Sequence, residues 1–229
     1  MEVNTLNNQG NQAENPTNWE KVKSLVKEYG ILKSTWLIFR HILRRTIGLD
    51  WQRDFLLVRL LKEPIQEITP EISMKIVQVT EVDIDKLKDI INDQQYRHFQ
   101  ERFRKGRICF AALNGEKIVG FNWICLENEI ETASYLEIKL NNKEAYSFDA
   151  YVIPQCRGKK IITAMVIKNL MHLRLQGYEK VLAVADSKNV PSLKFNKAAG
   201  FYPDKKVTSF KIFGLKFNRW RKFTGTFNP

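Results

Sequence analysis

The sequence predicts an α/β (α+β) protein: a mixed, mostly antiparallel central sheet with flanking helices, preceded by an N-terminal helical extension. Three observations predict it. The runs Ile108–Leu113 and Lys117–Leu126 flank Asn114-Gly115, the dipeptide that favours a two-residue hairpin turn. The apolar, aromatic and β-branched run Phe148–Ile153 is stopped by Pro154 and followed by a helical pattern over 161–175 and a second buried run, Val181–Ala185. That order is a βαβ step. Residues 17–47 carry a helical period of their own.

The chain has 229 residues and a formal charge of +12. It is long enough for one core with an extension. The charge suits an anionic ligand, an acidic acceptor, a membrane surface or nucleic acid, and does not choose among them. No groove-reading or base-stacking motif accompanies it, which sets nucleic acid last. No apolar run is long enough to cross a bilayer, and no signal peptide is visible. Cys109, Cys125 and Cys156 are odd in number and lack metal-ligand spacing. The expectation is a reduced, cytoplasmic setting without structural zinc.

In chain order, residues 1–16 are rich in Asn, Gln and Glu and read as a disordered tail. Residues 17–70 read as the helical extension and its linker. Thr17 and Glu20 fit a capping box, and Trp19, Val22, Leu25, Val26 and Tyr29 form the face of a first helix. A second helix, 31–47, carries a wide stripe including Trp36 and Phe39, with Arg40, Arg44 and Arg45 towards its other side. That stripe packs on the domain, packs on a second copy to make a homodimer, or lies on the inner face of a membrane. Trp51–Leu61 is ambiguous. Phe55–Val58 suits a strand at the sheet edge or a tie for the helices, and Pro64 and Pro70 bracket the boundary.

The main domain, 71–229, opens with a strand at Met74–Val79. A helix follows that Thr80 caps, with Asp83 three residues on, and then a helix over about 94–105. Each arginine of the latter reads as solvated when taken singly. Tyr135–Leu140 reads as a further strand and 141–144 as a polar turn. The segment 206–223 alternates aromatic and basic residues and reads as sheet with a solvated edge.

The informative stretch is 148–201. A strand, the turn Gln155-Cys156-Arg157-Gly158-Lys159-Lys160 and a helix starting at Ile161 make an anion site, because the first N–H groups of a helix lack internal partners and its dipole favours negative charge. Gln155-x-x-Gly158 after a Val-x-Pro strand end resembles the pyrophosphate loop of the GNAT superfamily of N-acyltransferases. Asn189-x-x-Ser192 followed by Gly200-Phe201 resembles that family's later signature. The resemblance runs from about Met74 to the C-terminus.

It implies an acetyl-CoA-dependent N-acetyltransferase acting on a primary amine by direct attack on the thioester. Backbone groups of Arg157, Gly158, Lys159, Lys160 and Ile161, with Gln155, would cradle the phosphates. The strand end at Val152 and Ile153 would hold the pantetheine arm, because the next strand splays away, and Asn189 and Ser192 would contact it. Two departures stand out. Lys160 sits where the family usually has Gly or Ala. Asn196 sits where many members carry a tyrosine that protonates the leaving thiolate, so Ser192, a water or a neighbouring tyrosine would have to serve. An acceptor ammonium, with pKa near 10.4, must lose a proton before attack. Asp149 is the first candidate base, with Tyr146, Glu144 and Glu137 behind it. A structural hydrogen bond is Asp149's other possible role. Two further readings stay open: a membrane-docked acyltransferase with a longer acyl donor or lipid-linked acceptor, and a non-catalytic acyl-CoA-binding module. No metal is expected.

Overall fold

The computed structural model describes residues 35, 39, 49–131 and 136–229. The expected tail, the capping box at Thr17 and nearly all of the two N-terminal helices lie outside them, as does Tyr135. Thr35 and Phe39 are helical. The chain divides into two compact units; residues 51–211 and 215–229 form the one that carries the main sheet.

Eight strands make that sheet, in the order β10-β9-β1-β8-β7-β4-β3-β2. They are β1 (Asp50–Leu60), β2 (Lys75–Val79), β3 (Ile108–Asn114), β4 (Lys117–Cys125), β7 (Glu144–Val152), β8 (Lys180–Asp186), β9 (Tyr202–Ile212) and β10 (Leu215–Lys222). A separate ribbon pairs β5 (Glu129–Glu131) with β6 (Leu136–Ile138). The helices are α1 (Asp93–Arg104), α2 (Ile161–Leu175) and α3 (Val190–Ala198), with 3-10 turns at Glu81–Leu87 and Pro154–Cys156. The sheet is mixed: β1 on β8, β2 on β3, β3 on β4 and β4 on β7 are antiparallel, and β7 on β8 is parallel.

Several elements differ from the sequence reading. Trp51–Leu61 is an interior strand, pairing with β8 from Asp54↔Asp186 to Leu60↔Lys180. Strand β1 thus belongs, from Trp51 on, to the same compact unit as the rest of the main sheet. An 11-residue run with Leu56, Leu57 and Val58 all buried needs cover on both faces, which an edge or a tie does not supply. The segment after Thr80 is a 3-10 helix, although Thr80 and Asp83 do form the capping box. Glu144, expected in a turn, opens β7. Helix α2 is buried more widely than a one-sided stripe: Ile161, Thr163, Ala164, Met165, Val166, Ile167, Asn169, Leu170 and Leu173 are all covered.

Alternation along the strands sorts the core onto two faces. Leu57, Ala145, Val181 and Ala183 pack with Met165, Ile167 and Leu170 of α2. Leu56, Val58, Tyr146 and Leu182 point the other way, against Leu136 and Ile138 of the ribbon. Beside them Phe99 of α1 meets Phe121 and Trp123 edge-on, with ring centroids at 5.0 and 4.9 Å.

Candidate functional site

Strand β7 has two halves. From Glu144 to Ser147 it pairs with β8, and from Tyr146 onward it also pairs with β4. After Ser147 its ladder to β8 ends, although β7 continues to Val152 and β8 to Asp186. A cleft of about 790 Å³ opens there, lined by the free half of β7, the start of α2, and α3. That volume suits a ligand-sized site.

The free half is also bent. The β4–β7 register shifts between Phe121 and Trp123, and Asp149 takes a left-handed φ of 46°. Asn122, opposite this bulge, repairs the ladder with its side chain. Its Nδ2 donates to Phe148 O at 2.9 Å, while its Oδ1 accepts from Ser147 Oγ at 3.2 Å and from Asn169 Nδ2 of α2 at 2.5 Å. Asn122 and Asn169 are each 1 % exposed. Gly120 admits the close crossing further along, since a Cβ there would lie 2.6 Å from Tyr151 O. Beyond the bulge, Ile153 N–H donates to Val119 O at 2.9 Å, so alternation turns the N–H and C=O of Val152 away from β4 towards the cleft. Arg157 Nε donates to that Val152 carbonyl at 3.0 Å.

At the cleft's far end the turn reaches α2. Gly158 has φ 78°, and a Cβ built on it would meet nothing within 4 Å. Among the described residues, no backbone carbonyl accepts from the N–H groups of Gly158, Lys159, Lys160, Ile161 or Ile162. This is an open concave row of donors at a helix N-terminus, with Arg157 and Lys160 beside it. Lys160 stands at φ 58°, a backbone that costs a residue with Cβ about 1–2 kcal/mol. Its ammonium turns to Glu71 Oε1 at 3.1 Å, and Glu71 N–H donates to Lys159 O at 3.1 Å. The donor row suits a pyrophosphate, so an acyl-CoA fits this cleft.

Of the expected residues, Asp149, Val152, Arg157, Gly158, Lys160, Ile161, Asn189 and Ser192 line the cleft together. Ile153, Gln155 and Lys159 do not line it. The N–H of Ile153 is committed to β4, Gln155 projects outward, and the carbonyl of Lys159 is held by Glu71. Tyr146 is corrected: it lies in the paired half, is 1 % exposed, and its hydroxyl donates to Glu131 away from the cleft. Burial first, then the nearby carboxylates, pushes its phenol well above the usual range. Glu144 is also withdrawn as a base. It pairs with Lys180 and accepts from Asn141 N–H. Glu137 sits on the ribbon beside Lys139.

Asp149 stands at the bulge, its carboxylate paired with Arg102 of α1. The Arg102 guanidinium lies 5.0 Å from the Phe148 ring centroid, 5.1 Å from Phe99 and 5.2 Å from Trp123, a cation–π setting that fixes it. On α3, Asn189 caps the helix by accepting from Ser192 N–H at 3.1 Å. Asn196 Nδ2 donates to Ser192 O at 2.9 Å and lies 3.4 Å from Ser192 Oγ. Tyr151 is the one tyrosine among the described residues that line the cleft.

Sequence reasoning missed Asn122, Asn169 and Tyr151, and it read Arg102 only as one of the basic residues of its helix that, by the family resemblance, could meet an acidic acceptor, not as the partner of Asp149. Two left a signal: Asn122 is the polar residue inside the run Ile118–Cys125, and Asn169 the amide inside the apolar stretch of α2. The pairing of Arg102 with Asp149 left none, since it spans 47 positions of sequence.

A strand pair that parts over a helix N-terminus, with a braced bulge beside it, is the architecture of an acyl-CoA-binding fold. The chain belongs to the GNAT acetyltransferase family, whose model matches residues 76–201. Members of this family bind an acyl-CoA and transfer its acyl group to an acceptor. Solved structures share the fold. A Drosophila protein is 11 % identical over 80 % of this chain and 58 % of its own, with a TM-score of 0.52. A tandem GNAT protein from the clavulanic acid biosynthesis pathway is 16 % identical over 76 % and 58 %, with a TM-score of 0.51. A GCN5-related N-acetyltransferase from Sphaerobacter thermophilus is 14 % identical over 81 % and 57 %, with a TM-score of 0.50. The chain thus spans less than two thirds of each of these proteins. No curated protein matches it. No helix among the described residues is long and apolar enough to cross a membrane.

Proposed function

We propose that the protein is an N-acetyltransferase that moves an acetyl group from acetyl-CoA to a primary amine. The observation that carries this reading is the parting of β7 and β8 directly over the open donor row of Gly158–Ile162. The thioester supplies an activated carbonyl: the amine nitrogen bonds to its carbon, the C–S bond breaks, and CoA leaves as the thiol. The N–H groups of Gly158, Lys160, Ile161 and Ile162 hold the pyrophosphate. Val152 offers its N–H to the pantetheine arm, and Arg157 is placed to move between the Val152 carbonyl and a phosphate. Asp149 accepts the proton of the acceptor ammonium at the bulge, while Arg102 fixes the direction of its carboxylate. Ser192 and Tyr151 are the hydroxyls placed to donate to the departing sulfur, since Asn196 has no acidic proton.

A second reading, a non-catalytic acyl-CoA module, is favoured by Asn196, whose amide is spent on Ser192. One experiment separates the two. Acetyl-CoA, CoA and a long-chain acyl-CoA are titrated calorimetrically, and thiol release is then followed with a panel of amines. Saturable binding with turnover supports the transferase, and binding without turnover on any amine supports the module. Tighter binding of the long-chain donor shifts the acyl group. Gly158→Glu, which places a carboxylate against the pyrophosphate, should weaken binding by about 100-fold. Full binding in that variant would remove the cradle from its role.

A further inference from the structure

Helix α1 sends one cation to the bulge of β7. The next two cations along the chain pair with acids outside β7, Arg104 with Glu81 at 3.7 Å and Lys105 with Glu101 at 2.7 Å. Arg102 Nη1 donates to Asp149 Oδ2, and among the described residues no other hydrogen-bond acceptor meets this guanidinium. Beneath it lie the rings of Phe99 and Trp123, 1 % and 0 % exposed, which make a close-packed floor. The guanidinium cannot sink deeper, so its remaining N–H groups face outward. The Arg102 side chain is 26 % exposed and that of Asp149 38 %.

The bulge brings the pair together. Phe148 and Asp149 are successive residues, yet Arg102 touches both, the ring of one and the carboxylate of the other. In an unbroken strand they would point to opposite faces. The left-handed backbone at Asp149 turns both towards α1.

Taken together the pair is neutral. An ammonium arriving at Asp149 meets a guanidinium already on the same carboxylate, and the two cations repel at close range. An acceptor with its own carboxylate beside the amine removes that conflict. Its ammonium lies on Asp149, and its carboxylate lies on the outward fork of Arg102, where charge-assisted bonds can form at two points. In an α-amino acid the two groups are joined through a single carbon, which matches the direct contact of Arg102 with Asp149.

We propose that the acceptor is a free α-amino acid, its carboxylate seated on Arg102 and its amine on Asp149. This rests on the transferase reading above and adds the class of acceptor to it. An amine on an uncharged chain gains nothing from Arg102, and a protein lysine carries its amine on a long stem with no anion beside it. In the step itself the amine nitrogen bonds to the acetyl carbon and the C–S bond breaks. One proton of the ammonium passes to Asp149 and a second to the departing sulfur, leaving an N-acetyl amino acid and CoA.

The test follows thiol release by the full chain with acetyl-CoA and matched acceptors: α-amino acids, their α-carboxamides, the same amines without the carboxyl group, and aminoethyl phosphate. The amino acids should exceed the carboxamides and plain amines by about 10–100-fold in kcat/KM. Arg102→Gln should bring that ratio towards one, and Arg102→Lys, which keeps the charge without the fork, should restore it in part. If Arg102 only positions Asp149, its loss lowers every acceptor alike and the ratio stands, which overturns the proposal. Equal turnover of carboxamides and amines by the wild type also overturns it and leaves the transferase intact. A preference for aminoethyl phosphate overturns the carboxylate as the anion. Acetyl-CoA binding without turnover of any acceptor brings down the proposal and the transferase reading together. Thermal melts check that the variants stay folded, and the wild-type comparison stands without them.

Discussion

The two halves of β7 are the instructive comparison. Both belong to one nine-residue strand, and both carry an acidic residue and tyrosine. In the paired half, Tyr146 and Glu144 are covered, and their polar atoms are spent on Glu131, Lys180 and Asn141. In the free half, Asp149 and Tyr151 line a cleft. Residue type does not separate the two halves; the loss of β8 as a neighbour after Ser147 does. Where the ladder continues, polar groups are structural. Where it stops, backbone donors and side chains become available to a ligand.

The largest effect expected is at Asp149. Asp149→Asn keeps a residue that tolerates the left-handed backbone and should lower turnover about 10²–10⁴-fold, with acetyl-CoA affinity unchanged by calorimetry. Undiminished turnover would move the base elsewhere and leave Asp149 as Arg102's structural partner. Next comes the brace. Asn122→Leu leaves Asn169 Nδ2 and Phe148 O unpaired in a dry place, so stability should fall by about 1–3 kcal/mol in urea denaturation, with weaker acetyl-CoA binding in the folded fraction. A loss of stability with unaltered binding would show that the bulge does not depend on Asn122.

Tyr146→Phe sharpens the contrast from the other side. It removes one buried hydroxyl and should cost about 1 kcal/mol by denaturant midpoint, with turnover and its pH profile unaltered. Any loss of turnover there would blur the division between the halves. The smallest effect concerns acid. Burial raises the Glu144 carboxyl, but Lys180 and Asn141 pull it down further, and its net position is below the usual 4.5. A depressed carboxylate contributes stability above its unfolded value, and that contribution is lost as pH falls through the folded value. The wild type should therefore lose stability below about pH 4.5. Glu144→Gln should flatten that part of the curve in melts taken across pH.

Much of the fold was legible in the sequence for local reasons. Asn114-Gly115 sets its own hairpin, and Pro154 stops its own strand. Each signal lies within a few residues of its effect. The turn that lines the cleft was legible for the same reason, because a strand, a glycine turn and a helix start are contiguous. Tyr146 was misread because a tyrosine two residues from a site looks the same whether its neighbouring strand stays or leaves. Trp51–Leu61 was misread because nothing local tells an interior strand from an edge one when its partners, β8 and β9, come more than a hundred residues later.

By itself the sequence determined the hairpin, the βαβ step, the glycine turn at a helix start and the family. All of these rest on short-range backbone preferences and contiguous motifs. Only the tertiary structure decided where β8 parts from β7, that Asn122 and Asn169 brace the bulge, that Arg102 meets Asp149, and that Lys160 turns out to Glu71. These depend on which distant segments become neighbours, and a strand's open edge is defined by the partner it lacks.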